Sequence, residues 1–206
     1  MTDASSSERR WRCFVAVPIG EELRAALADA VAALRKAEPA TDAAFRWTEP
    51  EGWHLTLAFL GATDVDRVPS IVDALRAETA DVGSFEVSSA GLGAFPSARR
   101  GRVLWYRVLD DQRRLRLLAT GVREALGLDD GAPFRAHVTL ARARAREGVK
   151  LGEELMAAHT PAGRIVVDRV VVYRSHLGRG PARYEPLADL PLLAGATTRA
   201  NAASPA

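Results

Sequence analysis

The 206-residue chain holds a single cysteine, Cys13, so no internal disulfide is available to it. The apolar run around Cys13 predicts a buried small hydrophobe there. Lysine is almost missing: only Lys36 and Lys150 occur, and the rest of the positive charge is arginine. With 28 basic against 26 acidic residues the net charge is only +2, which excludes a basic nucleic-acid coat. No apolar run approaches the roughly 18 residues that a membrane-spanning helix needs. The first ten residues, Met1 to Arg10, lack the apolar core of a signal peptide, so a cytoplasmic protein is expected. No Gly-rich phosphate loop appears, because Gly91-Leu92-Gly93 lacks both a third glycine and a following helix. No Gly-x-Ser-x-Gly elbow occurs either.

What the chain does have is one pattern twice: His54-Leu55-Thr56-Leu57 and His137-Val138-Thr139-Leu140. Threonine supplies only 11 of 206 residues, so composition alone predicts such a pair rarely. In an extended strand, residues i and i+2 face the same way. Each copy therefore presents an imidazole beside a hydroxyl, backed by apolar residues that can lie on a core. The remaining histidines, His159 and His176, have no such company and read as surface or loop residues.

Histidine has an unperturbed pKa of about 6.5, so one ring can be neutral while another is protonated. That pair suits a displacement in which the attacking oxygen loses a proton and the leaving oxygen gains one. In-line attack at phosphorus puts those oxygens on opposite sides, and a duplicated scaffold provides opposite walls. Thr56 and Thr139 would hold the non-bridging oxygens that gather charge. No metal or cofactor is expected, since two histidines without well-spaced acidic or cysteine partners fall short of a three-ligand catalytic zinc set. Asp64 and Asp66, just after the first copy, read as caps for the second helix.

Periodicity predicts a strand over Arg12 to Ile19, a helix over Glu21 to Glu38, and a short extended piece at Phe45 to Thr48. The first His-strand spans Trp53 to Gly61, and a helix spans Val65 to Ala80. Strands at Phe85 to Phe95 and Val103 to Leu109 follow, then a helix over Asp111 to Leu126. The second His-strand covers Arg135 to Arg142, and a short helix Leu151 to Ala158. Arg164 to Tyr173 is the most strongly β-forming stretch and reads as one strand, with a last one at Tyr184 to Leu187. The repeated order implies a duplicated α+β unit. Its two mostly antiparallel sheets carry outer helices and are related by a pseudo-two-fold around a central cleft. Residues 11–193 are expected to form one bilobal domain, between disordered tails at 1–10 and 194–206. Two arginine clusters, Arg99, Arg100 and Arg102, and Arg142, Arg144 and Arg146, read equally as substrate-facing or as solvated surface charge.

The paired motifs resemble those of the 2H phosphoesterase superfamily, and within it the RNA 2′,3′-cyclic phosphodiesterases historically called 2′-5′ RNA ligases. The resemblance covers roughly residues 11 to 192, from Phe14-Val15-Ala16-Val17-Pro18 through Arg46-Trp47 and His54-Leu55-Thr56-Leu57-Ala58-Phe59-Leu60-Gly61. It continues through Gly93-Ala94-Phe95-Pro96, Val103-Leu104-Trp105, His137-Val138-Thr139-Leu140-Ala141-Arg142, and Tyr173-Arg174-Ser175 with Gly180 and Tyr184. It implies a bilobal α+β fold and metal-independent hydrolysis of RNA ends, or nucleotides, carrying a 2′,3′-cyclic phosphate, to give 2′-phosphates. By the same resemblance His54 is the proton donor, His137 the proton acceptor, and Thr56 and Thr139 bind phosphate.

The resemblance also offers Arg142 as a phosphate ligand. Its parity opposes that of His137 and Thr139, so it reaches the cleft only through a twist or bulge; a structural salt bridge is the alternative. Ala58 stands where many relatives carry Lys or Arg, which removes a candidate phosphate-facing charge, and Ala136 stands where Pro is usual. Phe14, Trp53, Phe95 and Trp105 are candidates to stack on a base, with core packing the stronger reading for most. A small cyclic-nucleotide phosphodiesterase or a 2′-5′ ligase would use the same site. A non-catalytic phosphate-binding protein is the reading from another class, although binding alone would not require two titratable groups. A monomer without membrane attachment is expected.

Overall fold

The first apolar run becomes β1 (Arg10–Pro18), and Pro18 and Gly20 end it before α1 (Glu21–Ala37). Leu23, Leu27, Val31 and Leu34 form the buried stripe of α1, with Glu21 and Glu22 at its start and Arg35 and Lys36 at its end, matching the helix dipole. The chain continues through α2 (Pro39–Ala44), β2 (Phe45–Trp47), β3 (His54–Asp64), α3 (Val68–Thr79), β4 (Phe85–Phe95) and β5 (Val103–Leu109). Then come α4 (Arg114–Ala125), β6 (His137–Ala143), α5 (Glu153–Met156), β7 (Gly163–Val167), β8 (Arg169–His176) and β9 (Arg183–Pro191). This computed structural model describes residues 9–128, 131, 133–176, 178 and 182–194. Most of both expected tails, and Gly180, lie outside them.

The strands pair antiparallel along the order β7-β4-β5-β6-β3-β1-β8-β9, with β2 added antiparallel on β6. The two expected sheets are the halves β7-β4-β5-β6 and β3-β1-β8-β9. They meet at one residue pair, Leu55↔Val138, so the two His-strands stand side by side at the centre. Helices α3 and α4 pack together, α3 against β9 and α4 against β3, while α1 lies against β7 and α5 against β4. Apolar side chains from both halves merge into one buried cluster. Among the described residues no helix is long and apolar enough to cross a membrane.

Three expectations need correction. The stretch read as one strand, Arg164 to Tyr173, is two: β7 pairs with β4 and β8 with β1, at opposite ends of the sheet. The break falls at Asp168, whose carboxylate accepts from the Arg169 guanidinium at 3.0 and 3.2 Å, so a polar Asp-Arg step lets the chain cross between halves. The helix expected from Asp111 begins at Arg114 instead, because the Asp110 carboxylate accepts from the backbone N–H groups of Leu115 and Arg116 at 3.1 and 2.8 Å. Asp64 caps no helix with its side chain; it accepts from Arg10 Nε at 2.9 Å, clipping β3 to β1.

Candidate active site

Leu55 and Val138 point into the core, 1% and 0% exposed. Their neighbours along the two strands therefore share the opposite face. The antiparallel register through Leu55↔Val138 sets His54 across from Thr139, and Thr56 across from His137. All four are partly exposed. Two imidazoles and two hydroxyls thus alternate on one surface, each histidine facing the other strand's threonine.

Each ring is held in the same way. His54 Nδ1 lies 2.7 Å from the Gly52 carbonyl oxygen, and His137 Nδ1 lies 2.7 Å from that of Arg135. A carbonyl only accepts, so Nδ1 carries hydrogen in both rings and Nε2 is left for chemistry. Each ring also rests on an aromatic pair from neighbouring strands. His54 lies 4.7 Å from Phe14 of β1, which stacks at 5.2 Å on Tyr173 of β8. His137 lies 5.0 Å from Phe95 of β4, which lies 4.9 Å from Trp105 of β5. Gly93 is needed beside that second pair, because the Trp105 indole occupies the space a Cβ there would fill. Tyr184 meets His54 edge-on at 5.2 Å, and Trp105 meets His137 edge-on at 6.0 Å.

Burial lowers the pKa of His54 from 6.5 to about 4, against the raising effect of the Gly52 carbonyl, and the charges of His137 and Arg142 lower it further. Burial also lowers His137, opposed by the Arg135 carbonyl and reinforced by Arg142. Both rings are therefore neutral at pH 7 in the unliganded protein.

A cleft of about 1390 Å³ is lined by His54, Thr56, Thr139 and Arg142, with Phe14, Arg46, Phe59 and Tyr184 around them. His137 lines a neighbouring pocket of about 550 Å³ that shares Thr56 and Phe59 with the cleft. Arg142 reaches the cleft by the bulge route. Trp105 pairs with Thr139 but Leu104 with Ala141, so Leu140 is an extra residue in β6 and the alternation inverts. Leu140 and Ala141 are both buried, and Arg142 emerges on the imidazole face. Its charge acts on His54, His137 and Tyr184 alike. Among the described residues it makes no ion pair, which removes the structural salt bridge.

The first strand carries the same device. Ala16 pairs with Thr56 and Val15 with Ala58, so Leu57 is the extra residue. Phe59, 67% exposed, emerges where Arg142 does in the other copy. Sequence reasoning missed Phe59, yet a signal was present: both copies read Thr-Leu-Ala, two apolar residues in a row that break the alternation. The same bulge leaves Ala58 buried in the core cluster, at the edge of the pocket that His137 lines. Of the other aromatic candidates, Trp53 is buried in the core; Phe14, Phe95 and Trp105 are the rings that seat the imidazoles. His159 is exposed, His176 Nε2 lies 2.7 Å from Glu185, and neither histidine lines the cleft. Among the described residues no three or more His, Cys, Asp or Glu side chains converge as a metal site would require.

A family profile described as "LigT like Phosphoesterase" matches residues 17–105. The RNA 2′,3′-cyclic phosphodiesterase of Geobacillus stearothermophilus is 30% identical over 190 residues; the match covers 90% of this chain and 58% of that protein, less than two thirds of its length. The enzyme of the same name from Archaeoglobus fulgidus is 32% identical over 136 residues, covering 65% of this chain and 73% of that protein. Among solved structures, TT0787 of Thermus thermophilus superposes with a TM-score of 0.68 at 26% identity, over 89% of this chain and 98% of that one. With its two imidazoles and two hydroxyls on one central face, the chain belongs to the 2H phosphoesterases, in the RNA 2′,3′-cyclic phosphodiesterase family.

Proposed function

We propose that the protein hydrolyses RNA ends carrying a 2′,3′-cyclic phosphate to 2′-phosphomonoesters, without a metal, by a two-histidine acid/base mechanism. The observation that carries this is the central register, in which each imidazole faces the opposite strand's threonine. A cyclic phosphodiester seated there has its phosphorus between the two rings. His137 takes a proton from the attacking water as the new P–O bond forms. The P–O3′ bond breaks, and His54 gives its proton to the departing 3′ oxygen. One water is consumed, and the products are a 3′-hydroxyl and a 2′-phosphate. Thr56 and Thr139 donate hydrogen bonds to the non-bridging oxygens, while Arg142 offsets the charge that gathers on them. Five-membered ring strain favours opening, so proton transfer and orientation are the work left to the protein.

Both rings are neutral before substrate arrives, so the donor must be loaded. The anionic phosphodiester supplies the cause, because a negative charge beside an imidazole favours its protonated form. Substrate and proton therefore bind together, and phosphate affinity rises as pH falls from 7.5 to 6. Calorimetric titration of dimethyl phosphate, whose single charge does not change over that range, in buffers of different ionisation enthalpy reads the proton uptake directly.

The decisive experiment is an oligonucleotide with a 2′,3′-cyclic phosphate end, incubated with the protein in excess EDTA. Phosphorus NMR should show a 2′-monoester. An unchanged cyclic ester, or turnover only after a metal is added back, would refute the reading. A cytoplasmic monomer, expected from sequence, accompanies it; sedimentation of the purified chain tests the oligomeric state.

A further inference from the structure

The two arginine clusters stand about forty residues apart in sequence, and backbone hydrogen bonds join them in the fold. Gly101 N–H donates to the Val149 carbonyl at 2.8 Å, and Val149 N–H donates back at 3.0 Å. Ala143 N–H donates to the Arg102 carbonyl at 2.8 Å, and Arg102 N–H to that of Phe95 at 2.7 Å. Arg100 Nε donates to the Glu147 carbonyl at 2.9 Å, tying the two loops once more.

These bonds frame a groove of about 470 Å³ lined by Arg102, Arg142, Arg144, Arg146 and Phe95, and by no carboxylate. Among the described residues none of the four guanidiniums pairs with Asp or Glu, although Arg144 Nε donates to the Ala43 carbonyl at 3.1 Å. Like charges gathered without counter-charges repel one another and concentrate a positive potential that an anion relieves. The groove shares Arg142 and Arg144 with the catalytic cleft, and Phe95 with the pocket holding His137. A second phosphate bound there would thus be the neighbour of the reacting one.

We infer that this groove is a second anion subsite, which binds the backbone phosphate joining the last two nucleotides of an RNA end. It rests on the phosphodiesterase reading of the His54–His137 site and deepens it, by making a strand rather than a bare cyclic mononucleotide the preferred substrate. Arg102 and Arg146 lie outside the proposed catalytic groups, so the Arg102→Gln/Arg146→Gln double variant isolates the subsite.

Kinetics on three substrates decide it: adenosine 2′,3′-cyclic phosphate, its 5′-phosphorylated form, and a short oligonucleotide with the same cyclic end. The double variant should raise the oligonucleotide KM about tenfold with kcat kept, and leave the bare cyclic nucleotide unaffected. The 5′-phosphorylated nucleotide should follow the oligonucleotide; if it follows the bare nucleotide, the assignment to that phosphate is wrong. Equal losses on all three substrates, or no loss on any, would also overturn it. If the wild-type protein turns over none of the three, the phosphodiesterase reading fails and binding still tests the groove. Anisotropy of a labelled oligonucleotide ending in a 2′-phosphate should then show about tenfold weaker binding by the variant. Its slope of log K against log salt should be shallower by about 0.7 for each phosphate the variant no longer neutralises; equal affinities and slopes would refute the subsite.

Discussion

The segments 54–59 and 137–142 are built to one plan for five residues and part company at the sixth. Each runs histidine, apolar, threonine, leucine, alanine, with the same alternation of partly exposed and buried positions and the same extra leucine. Each histidine donates Nδ1–H to the carbonyl two residues before it. The bulge then delivers a different side chain to the shared face, Phe59 from one strand and Arg142 from the other. Under the proposed mechanism, what is common serves proton transfer, which needs an equivalent group on either side of phosphorus. What differs is the chemistry each strand offers at the cleft: a guanidinium attracts an anion, and an exposed ring offers a stacking surface.

Removing what the halves share should cost most. His54→Ala and His137→Ala should each lower kcat by at least about a thousandfold, within the range of acid/base catalysis, with unchanged circular dichroism. A near-normal rate in either variant would break the equivalence. Thr56→Ala and Thr139→Ala should follow at roughly 10²–10³ each, the usual loss of an oxyanion donor. If only one threonine matters, the phosphate sits against one strand and not between them.

Smaller effects should come where the halves differ. Arg142→Ala should act chiefly on kcat, whereas Phe59→Ala should raise KM for an oligonucleotide about tenfold with kcat kept, consistent with roughly 1–3 kcal/mol for one stacked base. A kcat loss in both variants would mean that the two positions do the same work. The smallest effect is on stability. His54 has a folded pKa of about 4 against 6.5 unfolded, so the unfolded chain binds more protons between those values. Its stabilising contribution is complete above pH 6.5 and is lost as pH falls towards 4. Urea midpoints should decline over that window in the wild type and decline less in His54→Gln.

Much of the molecule was legible in its residues. The stripe of α1, the paired strands at Phe85–Phe95 and Val103–Leu109, and the two His-x-Thr faces follow from periodicity, because burial on one side imposes a period that composition records. The division at Asp168 was not legible, since Val-Val-Asp-Arg-Val-Val favours extended backbone on both sides of the break and says nothing about which sheet either half joins. Nor was Phe59, because simple alternation assigns it to the core.

The residues by themselves determined the chemistry available: two imidazoles, each with a hydroxyl two positions on, and apolar backing that makes each strand lie on a core. Only the tertiary structure decided that the two strands touch at Leu55 and Val138, that a bulge in each turns Phe59 and Arg142 outward, and that two distant arginine clusters border one groove. The reason is physical. Side-chain direction within a strand follows from local geometry, whereas register, bulges and neighbouring loops depend on hydrogen bonds to segments far along the chain.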